Sequence, residues 1–499
     1  MRPYMSLLRA AGSSCLCDLF TMKQVSFDPD KHSRFTTLSG DHNPIHWDAV
    51  RARRTQPGAP IVHGIHSLLY TLEQITDLQP DLPKVTRIKA RFVKPVYVGD
   101  VGRVEVVRPS EQRLQAKLLI DATEVTVVSV RFEDPIAAGT PAFITGDYER
   151  VILPSVPDNP ELQQINGRTG SLPFSSAVEQ TAAMFPNVAR CIGTPPLAAL
   201  VSSSSLVGML IPGLHSLFCG LDLWLMSDLI SPKNTLRFQV TSVDSRFRLV
   251  RIAIQGGGLH GTLETVSRPP PVEQPSMACV TQRVVQGEFR ESTALVVGGS
   301  RGLGELTAKL IAAGGGRTII TYATGKADAN LVAGSVRATG ARCEAIAYDA
   351  RRGAAEQLAA IKAFPPTQLY YFATPPILRR KAGICDPQRL AEFNSFYIAG
   401  FLDLLQTCLH LRPAGISVFY PSTTFIQQRP ENMTEYAMSK AAAEILCTDV
   451  SAYLPGVRIL VRRLPPLQTD QTNSAIPQDT ADSMDILLSI VREMHAVGS

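Results

Sequence analysis

Residues 39–46 read Ser39-Gly40-Asp41-His42-Asn43-Pro44-Ile45-His46, and fourteen residues after His46 the chain reads Pro60-Ile61-Val62-His63-Gly64. A carboxylate, an amide, a proline and an imidazole thus fall within six residues. Pro44 fixes its own φ at about −65° and biases Asn43 toward extended geometry, so Asp41 and His46 ride on a stiff turn. A carboxylate and an imidazole converging on one point form a general acid/base pair that can activate water. Gly64 offers a backbone N–H that can approach a carbonyl oxygen with no Cβ in the way. Standing alone, D-x-N-P is a capped turn before a helix. His46 and the later P-I-V-H-G turn the reading toward chemistry.

With those residues in that order, Phe35 to Leu69 resembles the MaoC-like, (R)-specific enoyl-CoA hydratases and dehydratases of the hotdog fold. The resemblance implies that Asp41 and His46 exchange a proton at C2 and handle water at C3 of an acyl thioester. Asn43 would position the water or the dyad. The N–H of Gly64, opening the central helix, would polarise the thioester carbonyl, a task that a helix N-terminus suits. His63 and His66 are expected to pack or hydrogen-bond locally.

A second set of chemical groups follows the proline-dense stretch Arg268-Pro269-Pro270-Pro271-Val272-Glu273-Gln274-Pro275. Thr293 to Val297 reads as a buried strand running into Gly298-Gly299-Ser300-Arg301-Gly302-Leu303-Gly304 and then the helical Glu305 to Ala313. Glycines between strand and helix permit a tight turn and the close approach of a pyrophosphate. After the next strand, Arg317 to Tyr322, no Asp or Glu stands where one would grip an adenosine ribose 2′-hydroxyl. Ser300 and Arg301 instead offer a hydroxyl and a guanidinium for a 2′-phosphate, which favours NADP(H). In Tyr436-Ala437-Met438-Ser439-Lys440 the phenol and the ammonium share one helix face. A neighbouring positive charge lowers a phenol pKa from about 10.

The G-x-x-x-G-x-G spacing of Gly298, Gly302 and Gly304, joined to Y-x-x-x-K, resembles the short-chain dehydrogenase/reductases over roughly residues 292–472. The resemblance implies that Tyr436 exchanges the alcohol proton beside Lys440 while hydride moves to or from a nicotinamide. It places Leu303 in the cofactor loop, Asp349 near the adenine, and Thr469, in Pro465-Pro466-Leu467-Gln468-Thr469, near the carboxamide. The family's serine falls on Thr423 or Ser422; Ser422 is chosen as the carbonyl-polarising hydroxyl, with Thr423 close behind. Two departures stand out. Phe372-Ala373-Thr374-Pro375 replaces the family's N-N-A-G, and the relay asparagine is expected near Tyr397, a turn from the available Asn394.

Apolar spacing sketches the elements that carry these groups. Ile65, Leu68, Leu69, Leu72 and Ile75 mark a helix, and strand-like runs follow at 87–97, 101–107, 114–121 and 125–132. Helical material near 175–185 and 197–209, then strands at 216–226, 235–243 and 249–255, copies that order and suggests a duplicated hotdog. Pro212-Gly213-Leu214-His215 echoes part of the first half, but no D-x-N-P-x-H recurs. The expected organisation is a tail (1–21), a catalytic hotdog (22–147), a second, non-catalytic hotdog (148–267), a linker (268–290) and a reductase domain (291–499). The fold class is thus an α+β double hotdog followed by an α/β Rossmann-like doubly wound parallel sheet.

Composition bounds the partners. The 499 residues are 45% apolar and 19% charged, with a net charge of +5 and no basic stripe, so nucleic acid is not expected. Nine scattered cysteines without a paired spacing argue for reduced thiols, a cytoplasmic location and no zinc site. The most apolar stretch, 206–226, is interrupted by Pro212, His215 and Asp222 and reads as core, not as a membrane span. Arg2 and Arg9 among small and apolar residues fit either a weak presequence or an over-extended start before Met22.

The two chemistries share an intermediate, a (3R)-3-hydroxyacyl thioester on CoA or acyl carrier protein. Joining them in one chain raises its effective concentration at the second site. The expectation is a bifunctional 3-oxoacyl reductase and 3-hydroxyacyl dehydratase, working as a homo-oligomer by analogy. Two alternatives stand: the same sites run in the degradative direction, or a dehydratase joined to a nucleotide-binding scaffold without reductase activity.

Overall fold

Apolar residues alternate along Val101–Ser110 and Arg113–Ile120, where Val104, Val106, Leu114, Ala116 and Leu118 are buried. Period-two burial of this kind commits a strand to a sheet with one face on a core. The computed structural model describes residues 24–78, 82–132, 148–174, 178–225, 234–378, 383–474 and 480–498. The expected 1–21 tail lies outside them. Contacts divide the chain into two units, Met1–Trp47 with Ile61–Arg268, and Asp48–Pro60 with Pro269–Ser499.

The first unit is built on one ten-stranded antiparallel sheet. Its strands are β1 (Gln24–Ser26), β2 (Val85–Phe92), β3 (Val101–Ser110), β4 (Arg113–Ile120), β5 (Thr123–Phe132), β6 (Thr169–Pro173), β7 (Ser216–Leu225), β8 (Thr235–Asp244), β9 (Leu249–Gly256) and β10 (Leu259–Ser267). Their order is β1-β3-β4-β5-β2-β7-β10-β9-β8-β6. Read inward from either edge, each half repeats one pattern: first strand, third, fourth, fifth, second. The halves join where β2 pairs with β7, Ile88 opposite Leu223. Each half also carries a buried helix, Gly64–Leu78 or Thr194–Ser205. In the first, Ile65, Leu68, Leu69, Leu72 and Ile75 face the core, as their spacing requires.

Several elements differ from the sequence reading. β6 and β10 were not expected, because Thr169-Gly170-Ser171-Leu172-Pro173 and the Gly261-bearing β10 lack a run of β-branched residues. The helix expected at 197–209 ends at Ser205 and continues as a π-turn, Leu206–Leu210, buried throughout. Among the described residues no single helix is long and apolar enough to cross a membrane; the pair Pro186–Ile192 and Thr194–Leu210 reaches that length only across a 116° bend.

The second unit is a six-stranded parallel sheet. Its strands are β11 (Thr293–Val297), β12 (Arg317–Tyr322), β13 (Cys343–Ala347), β14 (Gln368–Tyr371), β15 (Ile416–Thr423) and β16 (Val457–Leu464). They run in the order β13-β12-β11-β14-β15-β16. Alternate residues of β11 enter two separate cores, Ala294 and Val296 in one, Leu295 and Val297 in the other. A strand buried on both faces accounts for its unbroken apolar run. The strand order reverses between β11 and β14, and the crevice beyond their carboxyl ends is where such sheets take ligands. The expected linker is irregular only at first. Ser276 caps the helix Met277–Thr281, and Met277, Val280, Val284 and Phe289 belong to the core of this unit.

Candidate functional site

The first unit closes its halves around Asp41. Asn43 caps the turn Pro44–His46, and its carbonyl-type oxygen accepts from Ile45 N at 3.2 Å. The Asn43 amide donates to the carbonyls of Gly208 (2.9 Å), Gly213 (3.0 Å) and Leu214 (3.3 Å). This amide therefore clamps the turn to the second half of the sheet and is not free to hold a water. The Asp41 carboxylate, 2% exposed, accepts from Ser204 Oγ at 2.8 Å and from Asn43 N at 3.3 Å. A Cβ on Gly208 would fall on that carboxylate, so glycine there permits the close approach of the π-turn.

His46 Nδ1 lies 2.8 Å from the carbonyl of Ile61, which can only accept. Nδ1 thus carries the proton, and the Nε2 lone pair faces Asp41 Oδ2 at 3.8 Å. That separation exceeds a hydrogen bond and lets one small oxygen ligand touch both groups. Burial pushes Asp41 up to about 7 and His46 down to about 4, with the nearby Arg268 adding to the latter. The state favoured between those values is a neutral carboxylic acid beside a neutral imidazole, one donor and one acceptor. Arg268 is itself buried, donates to Leu214 O at 3.1 Å, and burial lowers it to about 10.

His63 and His66 do what local packing predicts, with one addition. The His63 ring stacks on His46 at 3.7 Å, and its Nε2 donates to the Asp41 carbonyl at 3.1 Å. His66 stacks on Phe35 at 4.5 Å. Asp41, His46 and His63 offer three ligand atoms within 4.8 Å of one another. The proton that the Asp41 carbonyl imposes on His63 Nε2 makes that nitrogen a poor metal ligand. Gly64 opens its helix with Phe92 against it, where a Cβ would meet the ring at 3.0 Å.

In the second unit the glycine loop joins β11 to the helix Gly302–Ala313. Gly298 (φ +78°) and Gly302 (φ +59°) take left-handed geometry, and a Cβ on Gly304 would strike the Gly298 carbonyl. A Cβ on Gly302 would meet only Thr469, at 3.9 Å, so the loop presents bare backbone at a helix N-terminus. Such a cradle fits a dinucleotide pyrophosphate. A cavity of about 740 Å³ runs past it, lined by Gly298, Ser300, Arg301, Leu303, Asp349 and Thr469 at one end and by Ser422, Thr423, Tyr436 and Lys440 at the other. Arg301 Nη1 donates to Asp470 Oδ2 (2.9 Å) and to the Arg53 carbonyl (2.6 Å). Asp349 is gripped by Arg351 at 2.8 and 3.0 Å, which holds its carboxyl below the usual range. Thr469 N donates to Thr472 Oγ1 at 3.0 Å.

At the phenol site one expectation is corrected, and another residue gains a partner that the sequence did not suggest. Ser422, expected to polarise the carbonyl with Thr423 close behind, lines the cavity, and its Oγ donates to Glu444 Oε1 at 2.5 Å, with Glu444 held in turn by Arg463. The neighbouring Thr423 lies near enough to the Tyr436 phenol to offset part of what burial does to it, and its Oγ1 accepts from Phe425 N at 3.2 Å. The ammonium was expected to make the phenol acidic, yet burial pushes Tyr436 up to about 12 and Lys440 down to about 7. Lys440 Nζ donates to Pro421 O at 2.6 Å and lies 4.1 Å from the Tyr397 ring and 4.7 Å from the Tyr420 ring. Tyr397 thus occupies the place beside the lysine, and Asn394 instead accepts from Ser439 Oγ at 2.8 Å.

Sequence spacing gave no sign of Ser204 or Gly208, which reach Asp41 from more than 160 residues away. Asp470 had a signal, since it follows Thr469 directly, but nothing in a single chain marks it as the anchor of Arg301.

Residues 18–131 match the MaoC like domain family. The peroxisomal multifunctional enzyme type 2 of Mus musculus is 32% identical over 105 residues, 20% of this chain and 14% of that protein. Its Drosophila melanogaster counterpart is 31% identical over 119 residues, 21% of this chain and 19% of that protein. The chain therefore spans less than a fifth of the length of these relatives. A short chain dehydrogenase from Burkholderia cenocepacia J2315, solved with NADP, is similar over 41% of this chain and 90% of its own, at 21% identity and a TM-score of 0.37.

Proposed function

We propose that the chain is bifunctional: an (R)-specific hydratase/dehydratase in the first unit, and an NADP(H)-dependent 3-oxoacyl-thioester reductase in the second. The observation that carries the reading is the Asp41–His46 pair, held face to face in a buried site within a MaoC-like segment. Neutral His46 takes the proton of a water held between the two groups, and protonated Asp41 gives its proton to C2 of the enoyl thioester. The reverse order eliminates water from the (3R)-alcohol. Gly64 N–H faces the thioester oxygen. Ser204, Asn43 and His63 hold the pair in place. The repeated strand order supports a double hotdog of residues 22–147 and 148–267, the second half shaping the acyl groove.

In the second unit the loop from Gly298 to Gly304, with Arg301, would hold NADP(H), which supplies the hydride. Tyr436 hydrogen-bonds the substrate oxygen and exchanges the proton, Thr423 orients that oxygen, and Lys440 holds the phenol side of the cleft. The acyl group rides on CoA or acyl carrier protein, and the unit pairs with a second copy by analogy with other reductases of this fold. Seven described cysteines, all free, support a reducing compartment, and we assign the cytoplasm. A second reading, hydration followed by oxidation of the (3R)-alcohol, is favoured by the two peroxisomal relatives.

The test is direct. Purified full-length protein is assayed for crotonyl-CoA hydration and for acetoacetyl-CoA reduction with NADPH and with NADH. Both activities are expected, with NADPH preferred. Hydration without reduction would leave a dehydratase with a nucleotide-binding scaffold.

A further inference from the structure

The sequence between the dyad turn and P-I-V-H-G belongs by its contacts to the second unit. Asp48 caps the short helix Ala49–Ala52, and Arg53 follows it. Its guanidinium lies against Gly325, where a Cβ would collide with it, and pairs with Asp328 in the first turn of the helix Lys326–Arg337. Arg53 Nε is buried and has no hydrogen-bond partner. Its carbonyl meanwhile accepts from Arg301. Arg53, Ser300, Arg301 and Thr324 line the same cavity.

The position matters because Ala323-Thr324-Gly325 is the loop that leaves β12. In sheets of this type an acidic side chain there grips the ribose 2′-hydroxyl, and an arginine there accommodates a 2′-phosphate. Here the loop brings no acid of its own, and a guanidinium from a distant stretch of sequence lies on its glycine. Charge points the same way. Among the described residues, Arg53, Arg54 and Arg301 are three cations paired with two carboxylates, Asp328 and Asp470. One positive charge is left over beside a cleft suited to an anion.

We propose that Arg53 is a nucleotide-specificity residue that binds the adenosine 2′-phosphate, supplied by the segment that follows the hydratase dyad. This rests on the NADP(H) reading above and deepens it. Binding moves the guanidinium from Asp328 to the phosphate, while its carbonyl continues to orient Arg301. The NADPH preference of the reductase then depends on a loop outside the parallel sheet's own stretch of chain.

The test uses equilibrium binding to the full-length protein by calorimetry, with 2′,5′-ADP and 5′-ADP as probes. The wild type is expected to bind 2′,5′-ADP the more tightly. Arg53→Ala should weaken 2′,5′-ADP about tenfold or more and leave 5′-ADP within about twofold, with Arg53→Lys in between. Crotonyl-CoA hydration and the melting temperature report whether each variant is folded. Equal loss of both probes, or no loss of either, would overturn the proposal, Arg53 being then only a brace. A wild type that does not distinguish the probes would instead sink the NADP(H) reading itself.

Discussion

The two candidate sites handle charge in opposite ways. Around Asp41 the first unit removes it: the carboxyl and the imidazoles are buried, burial pushes both members of the dyad toward their neutral forms, and backbone carbonyls fix the tautomers. The proposed nucleotide end of the cleft in the second unit gathers it: Arg53, Arg54 and Arg301 pair with Asp328 and Asp470. The chemistry proposed for each would account for the difference. A water and an uncharged enoyl group need a donor and an acceptor poised near each other in proton affinity. A phosphorylated cofactor needs fixed positive charge. The phenol end of the same cleft resembles the first unit more than its own nucleotide end, because Tyr436 and Lys440 are also driven toward neutrality.

If the sites are as separable as this contrast implies, crossed variants will not affect each other. Asp41→Asn should lower enoyl hydration by about 10³-fold and leave oxoacyl reduction unchanged, while Tyr436→Phe should do the converse by about 10²-fold or more. Loss of both activities in either variant, measured on the same preparation, would break the comparison. Gly208→Ala places a methyl group on the Asp41 carboxylate. It should lower hydration by about 10²-fold, since a displaced acid/base group loses most of its advantage; steady-state kinetics with reduction as internal control would read it. At the phenol, Thr423→Val should slow reduction about tenfold and Ser422→Ala less than about twofold. The reverse ranking would restore the sequence-based choice.

Within the wild type the comparison is sharpened by pH. Asp41, raised to about 7, keeps its proton up to neutrality, and His46, lowered to about 4, stays neutral down to acid pH. Hydration needs the protonated acid and the free imidazole together. Its kcat/KM should therefore fall about tenfold per pH unit above about 7 and again below about 4. A rate that climbs through pH 7 would mean that the ionised carboxylate is the base.

Legibility in the sequence followed locality. The turn from Asp41 to His46, the helix behind Gly64, the strand–loop–helix at Gly298 and the Tyr436–Lys440 spacing were all readable, because each is set by neighbours within a few turns of chain. The offset from Tyr436 left Thr423 and Ser422 side by side, since spacing alone does not say which face of β15 a side chain takes. β6 and β10 escaped because their partners, not their residues, make them strands.

The amino-acid order by itself settled which reactive groups exist and how each is spaced on its own turn or helix. Only the folded chain decided what surrounds them. Ser204 and Gly208 reach Asp41 through the pairing of two sheet halves, and Arg53 reaches Gly325 through a loop that joins the other unit. Burial and through-space contact set proton affinity and charge, and neither quantity is a property of neighbouring letters.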